Sequence, residues 1–270
     1  MGDMMTDRNV FQFFFVHKDR LPEAEMLPGT IATASSRIFI LALFIVIVML
    51  AAATARRRHM IKSVFIGAWA FFVAAEIAVT AFDSVAGNSI GMDWEHSLPL
   101  YPCSLYLFAM PFAIWGKGNA RWMGSAYACT LGLVGGIVNF IYPVQLISYS
   151  FFSFRGLHTL FYHGNLIFTF LVMLMSGYFR YTGITRMRYL LFASVPTMML
   201  SIPANLMNYS KVHSDYMYFT GAFPLLSRIF PHTPRAGITV FMYALYIFIP
   251  MLFFLPSLYM NMSRARALHD

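Results

Sequence analysis

The stretch Ser97–Trp115, SLPLYPCSLYLFAMPFAIW, decides how this chain is read, because two prolines and a cysteine stand at the head of an otherwise apolar run. Proline lacks the N–H that the first turn of a helix leaves unpaired anyway, so Pro99 and Pro102 are expected in the opening turns of a membrane helix. Cys103 then falls within a turn or two of that helix's N-terminus. The unpaired N–H groups and the positive end of the helix dipole favour a thiolate there, and the thiolate is the nucleophilic form. A lone cysteine in an apolar helix is more often a small buried hydrophobe. Position alone therefore leaves a reactive role and a packing role both open.

Composition places the segment in a membrane. The 270 residues are 59% hydrophobic and only 11% charged, against about a quarter charged in soluble domains. The expected fold is an all-α polytopic membrane protein, a bundle of about seven transmembrane helices, since seven apolar segments approach the roughly 20 residues a span requires. They cover about 36–55, 61–82, 98–115, 122–143, 156–177, 188–207 and 237–260. Residues 1–30, around FQFFFV at 11–16, read as an interfacial segment with no cleaved signal peptide. Residues 31–262 form the transmembrane domain and 263–270 a tail. The net charge of +8 gathers at the ends of apolar segments, where it sets topology and meets anionic head groups, so no nucleic-acid function is expected. Arg56, Arg57, Arg58, Lys62, Lys117, Arg121, Arg180, Arg186, Arg188, Arg264 and Arg266 fall in alternate loops and the tail. That bias predicts a cytoplasmic C-terminus and, with seven spans, an outer N-terminus, in a multi-pass protein of the cell membrane, of bacterial inner-membrane type.

Polar groups in hydrocarbon are costly and tend to mark function. With alternating helix directions, Glu76, Cys103, Asn139, His158, His163, Asn165, Asn205 and Asn208 share one layer near the outer leaflet. A thiol beside an imidazole is the minimal set for covalent acyl transfer. His163 is the expected base, whereas His158 is expected nearer the surface, against head groups or solvent. Glu76 or Asn165 can orient the imidazole, and Asn139 or Asn205 can donate to an oxyanion. An interhelical hydrogen bond is the competing role for each asparagine. Cys103 and Cys129 lie in separate segments without metal-motif spacing, so neither a disulfide framework nor a metal or cofactor is expected, and Cys129 is expected to pack. Ala128, Gly132 and Gly136 form a small-residue ridge for helix contact. The long aromatic loop at 208–235 reads as a partly embedded cap.

The segments LPLYPCSLYLFAMPFAIW, GLVGGIVNFIYP and LHTLFYHGNLIFTFLVML, followed by NLMN and DYMYF, occur in that order. Over about residues 60–255 this pattern resembles the bacterial YwaF-like membrane proteins and their animal relative, the transmembrane protein 164 family. Tyr101 departs from it, standing where many bacterial members have histidine. The resemblance implies an integral membrane acyltransferase that moves fatty acyl chains between phospholipids, with Cys103 as nucleophile and His163 as its base. It also implies functional positions at Asn205 and at Asp215, Tyr216 and Met217. Tyr101, Tyr106, Tyr162, Asp215 and Tyr216 are the expected substrate-lining residues. The partners implied are membrane lipids, a phospholipid acyl donor and a lysolipid or alcohol acceptor.

Three other readings compete. A lipid hydrolase uses the same residues and differs only in that water takes the acyl group. A transporter favours repeats and an ionisable path across the whole membrane, whereas the polar residues here gather on one side. A non-catalytic membrane partner protein tolerates loss of Cys103.

Overall fold

A chain this apolar satisfies its backbone in lipid by winding into helices, because each helix pairs its own N–H and C=O groups. The computed structural model describes residues 14–16, 30, 33–86, 98–180, 194–210, 215–220 and 229–266, without the side chains of 86, 144, 145 and 256–266; no strand occurs among them. Among the described residues seven helices stand in chain order. They are α1 (Ala34–Ala55), α2 (Ile61–Ala86), α3 (Tyr106–Trp115), α4 (Gly118–Ile141), α5 (Phe154–Met175), α6 (Val195–Ser210) and α7 (Arg235–Arg266). Five of them, α1, α2, α4, α5 and α7, are long and apolar enough to cross a membrane. The chain is a multi-pass membrane protein.

Two helices are shorter than the sequence suggests. α3 has 10 residues, about 15 Å at 1.5 Å per residue, against a hydrocarbon core of about 30 Å. The head of the expected third span, from Leu98 to Leu105, is a series of turns instead of a helix. α6 has 16 residues, and 188–193 of the expected sixth span lie outside the described residues. Of the expected interfacial segment, Phe14–Val16 are described; the Phe14 carbonyl accepts the Phe154 N–H at 2.8 Å, satisfying a donor at the start of α5.

α4 and α5 form the centre. Buried residues make up 67% of the spanning window of α4 and 56% of that of α5, but only 17% of that of α1. Around this pair the bundle turns large apolar side chains outward, including Ile38, Leu41, Ile77, Ile141 and Phe248, as a lipid-facing sheath requires. α3 packs along the first half of α4, and α5 touches α1, α2 and the second half of α4.

Small residues set these approaches, though only part of the expected ridge serves. A Cβ on Gly124 would meet the backbone of α3 at Ala109 and Ala113, and one on Gly136 would lie 2.8 Å from Ile167 of α5. Gly132 instead faces Tyr127 of its own helix. The reason is a π-helical turn at Ala128–Gly132, which absorbs an extra residue and rotates all that follows. Tyr127 and Gly135, eight residues apart, would point about 80° apart on a straight α-helix; with one residue absorbed, about 20° separates them. Both therefore face the turns that precede α3. Cys129 is buried in the bundle, its sulfur 3.7 Å from that of Met173, in a packing position.

Gly124→Ala is expected to lower stability by about 1–3 kcal/mol, the range for overpacked sites, because backbone cannot yield. Gly67→Ala, where a Cβ meets nothing within 4 Å, should leave the unfolding midpoint in detergent unchanged or raised.

Candidate functional site

Cys103 lies in the turns that lead into α3, three residues before the helix opens at Tyr106. The expectation that Pro99 and Pro102 occupy the helix's first turns is thus corrected. A residue before proline is pushed away from the α region, which works against helix at Leu98 and Tyr101. The loose turns close through Leu100 N–H to Leu98 O at 2.8 Å, Leu105 N–H to Tyr101 O at 3.2 Å and Tyr106 N–H to Cys103 O at 3.2 Å. The Tyr127 hydroxyl of α4 donates to the Pro102 carbonyl and lies 3.5 Å from that of Cys103. Cys103 itself is half-buried. A Cβ on Gly135 would lie only 2.7 Å from its sulfur, so a glycine makes room for the thiol on α4.

A second irregular segment, Asp215–Thr220, packs on these turns. Asn208 at the end of α6 grips Tyr216, donating from Nδ2 to its carbonyl at 2.7 Å and accepting its N–H at 2.8 Å. Asp215 accepts the Thr220 N–H at 2.7 Å, and Tyr246 of α7 donates to the Met217 carbonyl at 2.7 Å. Met217 and Tyr218 both have φ of 57°, a left-handed conformation unusual for large side chains and held here by the surrounding bonds. The Tyr216 hydroxyl accepts the Leu98 N–H at 3.1 Å, and the Tyr101 ring packs 5.3 Å from Tyr216 and 5.6 Å from Tyr218. This described part of the expected cap lies against the cysteine turns; residues 211–214 and 221–228 lie outside the described residues.

The third wall comes from α2 and α5. The Ser104 and Tyr162 hydroxyls lie 2.9 Å apart, with Glu76 of α2 nearby. Phe72 stacks on Tyr162 at 3.8 Å between ring centres. Farther along the same two helices Arg155 pairs with Asp83 at 3.0 Å. His163 follows Tyr162, and its Nδ1–H donates to the Thr159 carbonyl at 2.8 Å. In a neutral imidazole that bond leaves Nε2 as the unprotonated nitrogen, the form a base requires. No hydrogen bond joins the Cys103 thiol to an imidazole among the described residues. Both residues nonetheless register on α4 at consecutive glycines, Cys103 on Gly135 and His163 on Gly136, where a Cβ would lie 3.1 Å from the His163 carbonyl.

The remaining candidates divide. Asn165 donates to the Ala68 carbonyl of α2 at 2.9 Å, and Tyr106 pairs with Thr169 at 2.6 Å, so both tie helices together. The Asn139 side-chain oxygen is buried without a partner. Asn205 is half-buried on α6, one turn before the asparagine that grips Tyr216. His158 does not reach solvent as expected. Its ring nitrogens are buried without partners, and its ring lies 5.1 Å from Tyr162. Ser104, Tyr127 and Gly135 are site residues that the sequence reading did not single out.

The TMEM164 family matches the chain over residues 29–260. No curated protein and no solved structure matches it. Gly135→Ala is expected to displace the thiol and slow alkylation of Cys103 by a small reagent at least several-fold, measured by peptide mass spectrometry. Asn208→Ala should lower stability by about 1–3 kcal/mol, because it leaves the buried backbone of Tyr216 without partners.

Proposed function

This chain belongs to the TMEM164 family, and we propose that it is an integral membrane acyltransferase of the cell membrane, moving a fatty acyl chain between phospholipids through a Cys103 thioester. The observation that carries the reading is the setting of Cys103. In an apolar bundle its thiol sits on an irregular turn whose carbonyls are held by a tyrosine, and it faces a helix that offers glycine. A cysteine serving only to fill a gap needs none of this, as Cys129 illustrates.

In the first half-reaction the Cys103 proton passes to Nε2 of His163 and the thiolate attacks the ester carbonyl carbon of a phospholipid. The ester C–O bond breaks, the thioester forms, and the imidazolium returns the proton to the departing lysolipid alkoxide. In the second half-reaction the hydroxyl of a lysolipid or alcohol acceptor gives its proton to His163 and attacks the thioester. The new ester C–O bond forms, the C–S bond breaks, and the thiol recovers its proton. The chain's own groups suffice for this cycle, with lipids as its only partners. The tautomer set by Thr159, which leaves Nε2 of the neutral ring without a hydrogen, supports His163 as base. Bringing Nε2 to the thiol requires the site to tighten around lipid, as catalytic bonds commonly do when substrate binds.

The test is acyl exchange in reconstituted vesicles holding a phospholipid with an isotope-labelled chain and an unlabelled lysophospholipid. Wild-type protein should produce labelled diacyl lipid from the lysolipid. Cys103→Ala should abolish exchange, and His163→Ala should reduce it by about 10²–10⁴-fold, the usual worth of a positioned base. Exchange that survives Cys103→Ala would refute the reading. Release of labelled fatty acid without exchange would make the protein a hydrolase.

A further inference from the structure

Three registrations locate the proposed nucleophile and base. The thiol of Cys103 rests on Gly135 and the backbone of His163 on Gly136, so α4 fixes each of them separately. The third contact joins their own neighbours directly. Ser104 follows Cys103 in the chain, Tyr162 precedes His163, and the two hydroxyls lie 2.9 Å apart across the gap between the cysteine turns and α5. Both side chains are almost fully buried, at 5% and 4% exposure. Phe72 of α2 covers the Tyr162 ring.

We infer that the Ser104–Tyr162 hydrogen bond is a latch that holds the Cys103 turn against the helix that carries His163, which makes Ser104 and Tyr162 positioning residues. This rests on the proposed Cys103 and His163 roles and names what ties their two elements together. The turn has no regular helical ladder of its own to fix Cys103. Its other side-chain ties, to Tyr127 and Tyr216, grip carbonyls and an N–H before or at Cys103 and connect to α4 and to the 215–220 segment. Among the described residues, the Ser104–Tyr162 bond is the tie that reaches from the turn to the helix carrying His163. In an apolar interior a hydroxyl that loses its partner finds no water to replace it, so the pair has a strong preference for staying closed.

The experiment measures the alkylation rate of Cys103 by iodoacetamide in detergent-purified protein, read by peptide mass spectrometry, alongside thermal unfolding. Tyr162→Phe and Ser104→Ala should each speed alkylation about 3–10-fold, because the released turn exposes its half-buried thiol, and the double variant no more than either single one, because both cut the same bond. Ser104→Thr, which keeps the hydroxyl, should restore the rate. Tyr178→Phe is the control, since it removes a comparable tyrosine bond, to the Ala113 carbonyl at 2.7 Å, away from the cysteine. It should cost similar stability and leave alkylation unchanged. Multiplying rather than shared effects of the two latch variants, or a rate that follows stability alone across the five variants, would overturn the latch. If Tyr162→Phe does not fold, Ser104→Ala and Ser104→Thr carry the same comparison. The alkylation readout needs no lipid, so the acyltransferase reading can fail in vesicles while the latch stands, and the reverse.

Discussion

An unwound backbone inside an apolar bundle must find partners for every N–H and C=O group it leaves free, and the turns from Leu98 to Leu105 impose that demand on the whole molecule. α4 answers with Tyr127 on the Pro102 carbonyl and the 215–220 segment with Tyr216 on the Leu98 N–H, while α5 adds Tyr162 on the Ser104 side-chain hydroxyl. Each tyrosine is buried and comes from a different part of the chain. The site is therefore a collar of hydroxyls around a short irregular stretch, with the thiol in its middle. Elsewhere the bundle is apolar packing crossed by single polar ties such as Asn165 to Ala68 and Arg155 to Asp83, and helix-to-helix glycine contacts bring the collar's members into range.

That arrangement explains why strain collects in one place. Met217 and Tyr218 are held at positive φ by Asn208, Tyr246 and Asp215. These bonds lie in the segment that also supplies the rings around Tyr101. A stretch so held presents a defined wall to the cysteine turns. The π-helical turn in α4 acts similarly, because without it Tyr127 and Gly135 would not face the same neighbour.

Apolar runs made the helices legible, since in lipid an apolar segment has few alternatives to helix. Each of the seven expected segments holds a helix among the described residues, although only five of these helices are long and apolar enough to cross a membrane. The opening of α3 differs from the expectation because proline suits both a first helical turn and the turn just before one, and the turn here is held by Tyr127, 25 places after Pro102. His158 was expected at the surface on position alone, but the α2–α5 contact buries its ring nitrogens. Asn208 rather than Asn205 grips the 215–220 segment, a distinction of one helical turn that depends on where α6 ends. Gly135 and the π turn left no separable signal, because a glycine pair in an apolar helix reads as packing until its neighbours are known.

Intact-protein mass spectrometry after brief incubation with phospholipid tests the central claim, that Cys103 carries the acyl group. The account predicts an added mass of one acyl chain, removed by neutral hydroxylamine and localised to the peptide containing Cys103. An acyl adduct on another residue, or lipid exchange that proceeds with no covalent intermediate on Cys103, would contradict it.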